Sequence, residues 1–149
     1  MTTDPSWTQH FRKLEGMYLR APIQSLYPNT NIDISHNKAV ITLPIETQYF
    51  HAAQAVHGSV YFRLLDDSAF FAVQSTQRIY FVLTKSFQVK LTRPVHSGLL
   101  TAQGEFESLE SGDLIASSIL FNHHKKEIGF GRGVFVKSKI RLINELGFE

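Results

Sequence analysis

The 149-residue sequence contains no cysteine. That removes disulfides, thiolate nucleophiles and thiolate-held metals, and with them redox and zinc-ribbon chemistry. It has no apolar run approaching the roughly 18 to 20 residues that a membrane span requires. Its opening, Met1-Thr2-Thr3-Asp4-Pro5-Ser6-Trp7, lacks the basic segment and apolar stretch of a secretory leader. A soluble, cytoplasmic protein is therefore the expectation, with no membrane partner. An excess of one charge is missing too: 15 Lys and Arg stand against 13 Asp and Glu, for a formal net charge of +2. The scattered lysines and seven histidines do not make the dense basic stripe that nucleic acid demands, so a small anionic ligand is the more natural partner.

With 43% hydrophobic and 19% charged residues the chain reads as globular rather than disordered. Its length suits one domain over 1–149, large enough to bury about two thirds of the surface its unfolded form exposes. No internal repeat, linker or low-complexity segment interrupts it.

Asp4-Pro5-Ser6 has the form of a helix start, since Asp caps exposed amides and Pro fits the first turn. Trp7, Phe11, Leu14 and Tyr18 then recur at helical spacing, predicting a helix over about 5–20 that stops near Pro22. Ile32-Asp33-Ile34 and Val40-Ile41-Thr42-Leu43, parted by His36-Asn37-Lys38, predict a β-hairpin. Residues 45–56 read as a loop. Residues 58–74 are apolar on nearly every side, which for a helix means burial all round. Strands are predicted at 79–92, 98–109, 113–123 and 127–138, joined by short turns that imply an antiparallel sheet. The tail from Ile140 is too short for a further domain. The layout is α+β, one sheet curled around one helix. Such a sheet has free edges that dimerisation would protect.

The run His57-Gly58-Ser59-Val60-Tyr61-Phe62-Arg63-Leu64-Leu65-Asp66-Asp67-Ser68-Ala69 resembles the His-Gly-Gly to Leu-x-Asp signature of hotdog-fold thioesterases, above all the phenylacetic-acid-pathway type and its 4-hydroxybenzoyl-CoA thioesterase-like relatives. Thr84-Lys85-Ser86-Phe87 through Arg93-Pro94, followed by Ser97-Gly98-Leu99-Leu100, is similar to the family's long strand, Pro turn and next strand. The resemblance covers about 30–138. It implies a hotdog fold, hydrolysis of an acyl-CoA or acyl carrier protein thioester without a cofactor, and a homodimer or a dimer of dimers. Two positions depart from the pattern: Ser59 stands where a second Gly is common, and His51 where many relatives carry Asn.

Thioester hydrolysis needs an activated water or an attacking carboxylate, together with a donor for the oxygen that gains charge. Gly58, at the helix start, offers its N–H along the positive end of the helix dipole and lets a carbonyl approach closely, so it is the candidate oxyanion donor. Asp66, among apolar neighbours, is the candidate general base or nucleophile. Eight residues of helix separate the two by about 12 Å, too far for one carbonyl to touch both. If both act on one thioester, they come from different subunits, an arrangement that the resemblance also implies. Thr84 aligns with a hydroxyl residue that positions water beside the acid in relatives. His51 and His57 are candidates for orienting substrate or sharing protons.

Val56 and Ser59, on either side of His57-Gly58, are candidate substrate contacts. Arg93 and Lys85, with Lys90, His123, His124, Lys125 and Lys126, are candidates for the phosphates of coenzyme A. Asp67 is read as facing solvent or pairing with a cation. Tyr61, Phe62, Phe70 and Phe71 are read as core and dimer packing, with some of them candidates to line an acyl tunnel. His51, His57, Asp66 and Asp67 lack a compact ligand spacing, so no metal is expected. The alternatives are a non-catalytic acyl-CoA-binding module and a hotdog hydratase or dehydratase, the latter without its usual Asp and His motif after Asp66.

Overall fold

The computed structural model describes residues 4–149. Residues 1–3, read above for a leader, lie outside that range. Helix α1 (Pro5–Arg20) begins where the Asp4 carboxylate accepts the Ser6 N–H at 2.8 Å. It buries one stripe, His10, Phe11, Leu14, Met17 and Tyr18, and ends at Ala21, which is extended ahead of Pro22. A 3-10 turn, Pro22–Leu26, leads into β1 (Asn31–Ser35) and β2 (Lys38–Pro44). These form the predicted hairpin, and Asn37 takes the left-handed turn position at φ 68°. The loop after β2 contains one further 3-10 turn, Thr47–Tyr49.

Helix α2 (Gly58–Gln74) carries the apolar segment, and Leu64, Leu65, Ala69, Ala72 and Val73 are wholly buried along it. Strands β3 (Tyr80–Leu91), β4 (Leu99–Glu110), β5 (Asp113–Phe121) and β6 (Glu127–Arg141) follow, all pairing antiparallel. The sheet order is β1-β2-β4-β5-β6-β3. β3 therefore does not pair with β4, its neighbour in sequence. The segment around Pro94 is a crossover to the other side of the sheet rather than a hairpin turn. It is tied down by Val56 N–H donating to the Val95 carbonyl at 2.9 Å and Thr92 N–H to that of Ile128 at 3.0 Å. β3 consequently lies at an edge, with one side of its backbone unpaired.

α2 rests almost backbone to backbone on the sheet. A side chain at Gly104 in β4 would place its Cβ only 2.0 Å from the Ser68 carbonyl oxygen. Beside it, the buried Ser118 hydroxyl of β5 donates to the Leu65 carbonyl at 2.8 Å, anchoring the helix one residue before Asp66. The buried Gln74 amide clamps the link to β3, donating to the carbonyls of Gln77 and Tyr80 and accepting the Val82 N–H at 2.9 Å.

β3 carries a bulge between Thr84 and Ser86, with Lys85 the extra residue opposite β6. Side chains alternate along a strand, so one inserted residue reverses which positions face the helix. Val82 and Thr84 face inward before it; Phe87, Val89 and Leu91 do so after it. The sheet also runs past the predicted limit of 138, to Arg141, and the tail packs Leu142, Leu146 and Phe148 against the core. Among the described residues no helix is long and apolar enough to cross a membrane.

Candidate active site

Two regions of α2 carry the candidate chemistry. At its first turn His57 is the N-cap: its Nδ1 accepts the Ser59 N–H at 3.0 Å and lies 2.7 Å from the Ser59 hydroxyl. Gly58 sits at the first helical position, where backbone N–H groups have no intrahelical acceptor. No partner for its N–H is found among the described residues. A Cβ at Gly58 would meet only Leu91 Cδ1, at an ordinary 3.5 Å. Packing within the chain thus does not account for the missing side chain.

Two turns further on, Asp66 accepts a hydrogen bond from the Thr84 hydroxyl at 3.1 Å. Burial, and then the negative charge of adjacent Asp67, raise its pKa from 3.8 to about 6, with the Thr84 bond acting in the opposite direction. A carboxylate so placed is a stronger base than an exposed one and still largely ionised at neutral pH. It lines a cavity of about 430 Å³ between α1, α2 and β3, whose apolar wall includes Met17, Tyr18, Phe70, Phe71, Phe81 and Leu83.

Asp67, one position round the helix, points toward α1. The Tyr18 hydroxyl donates to its Oδ2 at 2.7 Å, and the Arg63 Nε lies 3.7 Å away. Burial raises the pKa of Asp67, opposed by the Tyr18 bond and the Arg63 charge. Of the two readings for Asp67, the structure takes the cation pair. Burial and the Asp67 charge also push the Tyr18 phenol upward, so Tyr18 is a donor at any physiological pH. Sequence periodicity gave no hint of the Tyr18 contact, because α1 and α2 meet only in three dimensions. The Arg63 and Asp67 pair at i, i+4 was the available local signal.

The remaining predicted site residues are dispersed. His51 is exposed, and its Nδ1 accepts the Ala53 N–H at 3.1 Å within its own turn. Val56 is buried and bridged to Phe50. His57 and Ser59 line a separate open cavity at the start of α2, with Tyr27, Tyr49 and Phe50. Lys85, on the bulge, pairs with Asp113 at 3.4 Å, and Lys90 is exposed on the outer sheet. Arg93 is exposed, while its carbonyl accepts the Tyr61 hydroxyl at 3.1 Å. His123 and His124 stack on each other in the β5–β6 turn beside exposed Lys125 and Lys126. Tyr61 and Phe71 are core residues, Phe70 packs partly against the core, and Phe62 is 43% exposed. Among the described residues, no three His, Asp or Glu side chains gather as a metal site.

One curled antiparallel sheet wrapped around a long central helix is the hotdog fold, and the chain adopts it. No family model matches the sequence, and no curated protein matches it. Solved structures do. The PaaI protein from the E. coli phenylacetic acid degradation operon superposes with a TM-score of 0.80 at 18% identity, covering 90% of this chain and 96% of its own. A thioesterase from Haemophilus influenzae matches with a TM-score of 0.72 at 15% identity, covering 92% and 93% respectively. A thioesterase enzyme from Staphylococcus aureus matches with a TM-score of 0.70 at 15% identity over 78% and 98%.

Proposed function

We propose that the chain hydrolyses an acyl thioester, most naturally that of coenzyme A, to a free acid and a thiol. The observation that carries this reading is Asp66: a partly buried carboxylate of raised pKa, held by Thr84 at 3.1 Å, at the wall of an apolar cavity sized for an acyl group. The names of the structural neighbours support the same chemistry. Asp66 acts as general base toward water or as nucleophile toward the thioester carbonyl. Thr84 holds the carboxylate or the water, and a Gly58 N–H receives the developing oxyanion.

The free edge of β3 supports a homodimer in which these groups meet. Thr84 touches Asp66 near one end of the strand, and Leu91 lies against Gly58 near the other. A two-fold axis through Gln88 that pairs β3 antiparallel with its mate, with Lys85 left out of register at the bulge, sets Thr84 of one copy beside the partner's Leu91. Asp66 of one copy then comes near the partner's Gly58. The pairing also removes an exposed strand edge. Thiol release across short, medium, long and aromatic acyl-CoAs tests the activity.

Two variants test the shared site. Asp66→Asn removes the base. Gly58→Pro removes the N–H at a first helical position, where proline is tolerated and where the preceding His57 is already extended at φ −62°, ψ 140°. Each should be inactive alone. Co-refolding the two in equal amounts should restore about a quarter of wild-type activity, because half the dimers are mixed and one of their two sites is intact. No recovery in verified mixed dimers would place both groups in one subunit and end the trans arrangement.

A further inference from the structure

The cavity beside Asp66 has two unlike ends. Toward the first turns of α2 it meets a polar wall, where Arg63 Nη2 donates to Gln24 Oε1 at 2.6 Å. An alkyl chain is disfavoured there, because covering charged and amide groups costs their hydration. Toward the end of α2 the wall is apolar. Phe70 and Phe81 pack with ring centroids 5.3 Å apart, and Phe71 meets the Tyr18 ring of α1 at 4.9 Å. Phe70 stands four residues beyond Asp66, about 6 Å along the helix axis. Phe81 stands three residues before Thr84, about 10 Å along β3.

That apolar end is closed by a segment with no part in the hydrolytic chemistry. After β6 the chain turns back across the fold, and Leu142 N–H donates to the Ile79 carbonyl at 2.8 Å, beside the start of β3. A 3-10 turn, Asn144–Leu146, follows, and Gly147 takes a left-handed conformation at φ 83°. That reversal lays residues 147–149 on α1. The Arg20 guanidinium donates to the Gly147 carbonyl and faces the Glu149 carboxylate at 3.8 Å, while Phe148 meets His10 edge-on at 5.7 Å. Residues 142–149 therefore form a strap from β3 to α1. Leu142, Leu146 and Phe148 hold it more than the Arg20 latch does, since exposed ion pairs contribute little. Of these side chains, Leu146 lines the cavity together with Met17, Phe70 and Phe81.

We propose that Leu146 is the chain-length stop of the cavity, so that the strap limits the substrate to straight acyl groups of about six to nine carbons. An extended chain advances about 1.2 Å per bond and has about 6 to 10 Å to run beyond Asp66. The stop rests on the thioesterase reading for where the carbonyl lies, and a binding measurement separates the two.

Thiol release is measured for saturated acyl-CoAs of four to sixteen carbons, and binding of the matching non-hydrolysable thioether analogues is followed by calorimetry. In the wild type kcat/KM and affinity should peak at six or eight carbons and fall about tenfold or more by twelve. Leu146→Ala should move both optima at least two carbons longer, with the four-carbon compounds changing least. Leu146→Phe, which keeps the apolar contact, should move them shorter. A strap loosened by the alanine opens the same end, so partial release moves the optimum in the same direction. A wild-type optimum at twelve carbons or beyond, optima that stay in place in both variants, movement of both variants in one direction, or no binding at any length would each overturn the proposal. Opposite shifts in binding, seen without turnover of any thioester, would keep the stop and remove the hydrolase reading.

Discussion

Asp66 and Asp67 are consecutive residues of the same helix with the same side chain, yet their surroundings divide the work between them. On the β3 flank, Asp66 has one hydroxyl partner and an open cavity. On the α1 flank, Asp67 is held by a phenol and faced by a guanidinium. A rotation of about 100° round α2 thus separates a carboxylate left facing a cavity from one that is tied down. On the proposed reading, what suits Asp66 to react is less the residue type than how few partners the fold provides.

That contrast breaks most sharply at Asp66. Asp66→Asn should lower kcat/KM about a thousandfold in a thiol-release assay, the loss expected when a general base is removed. The same change should make the fold more stable. With the folded pKa near 6 against an ordinary 3.8, folding favours the protonated acid. Below about pH 4 both folded and unfolded chains hold the proton and the group is neutral to stability. As pH rises through 6 the folded state must ionise a buried acid, at a cost. Asp66→Asn should therefore raise the thermal midpoint at pH 7, by on the order of 1–2 kcal/mol in stability after screening, and leave it unchanged near pH 4. A variant destabilised at pH 7 would deny that Asp66 is strained by its site.

Asp67→Asn should leave stability at pH 7 unchanged or raised in denaturant titration, because burial outweighs the Arg63 charge in setting the Asp67 pKa and the new amide oxygen still accepts the Tyr18 hydroxyl. It also removes the like charge beside Asp66, so the acidic limb of the kcat/KM profile, near pH 6 in the wild type, should move to lower pH. A limb that stays in place would make Asp67 irrelevant to its neighbour. The smallest effect belongs to Thr84→Val, about a tenfold fall in kcat with the limb moving upward, because the hydroxyl stabilises the charged carboxylate. A downward movement would refute that role.

Local pattern carried much of this into the sequence. The 3.6-residue recurrence of Phe11, Leu14 and Tyr18 marks α1, and the all-round apolarity of residues 58–74 marks a helix enclosed by a sheet. The spacing from Gly58 to Asp66 was legible for the same reason, since both lie on one helix. What pattern does not encode is where a strand goes after it is made. β3 and β4 are adjacent in sequence and look like a hairpin, but the segment around Pro94 sends them to different parts of the sheet. The bulge at Lys85 was visible only as a change of phase, from Val82 and Thr84 to Phe87, Val89 and Leu91. Gln74, whose amide fixes the entry to β3, looks like any helix-terminal glutamine. The polar wall formed by Gln24 and Arg63 depends on a turn some forty positions earlier coming to rest on α2.

The contact at Gly104 has a consequence for how such a protein can diverge. With the Ser68 carbonyl seated where a side chain would begin, the floor beneath α2 has no slack, and any enlargement there lifts the whole reactive helix. The rim of the cavity at Ile23, by contrast, is exposed and touches no such seat, so side chains of other sizes fit there without moving α2.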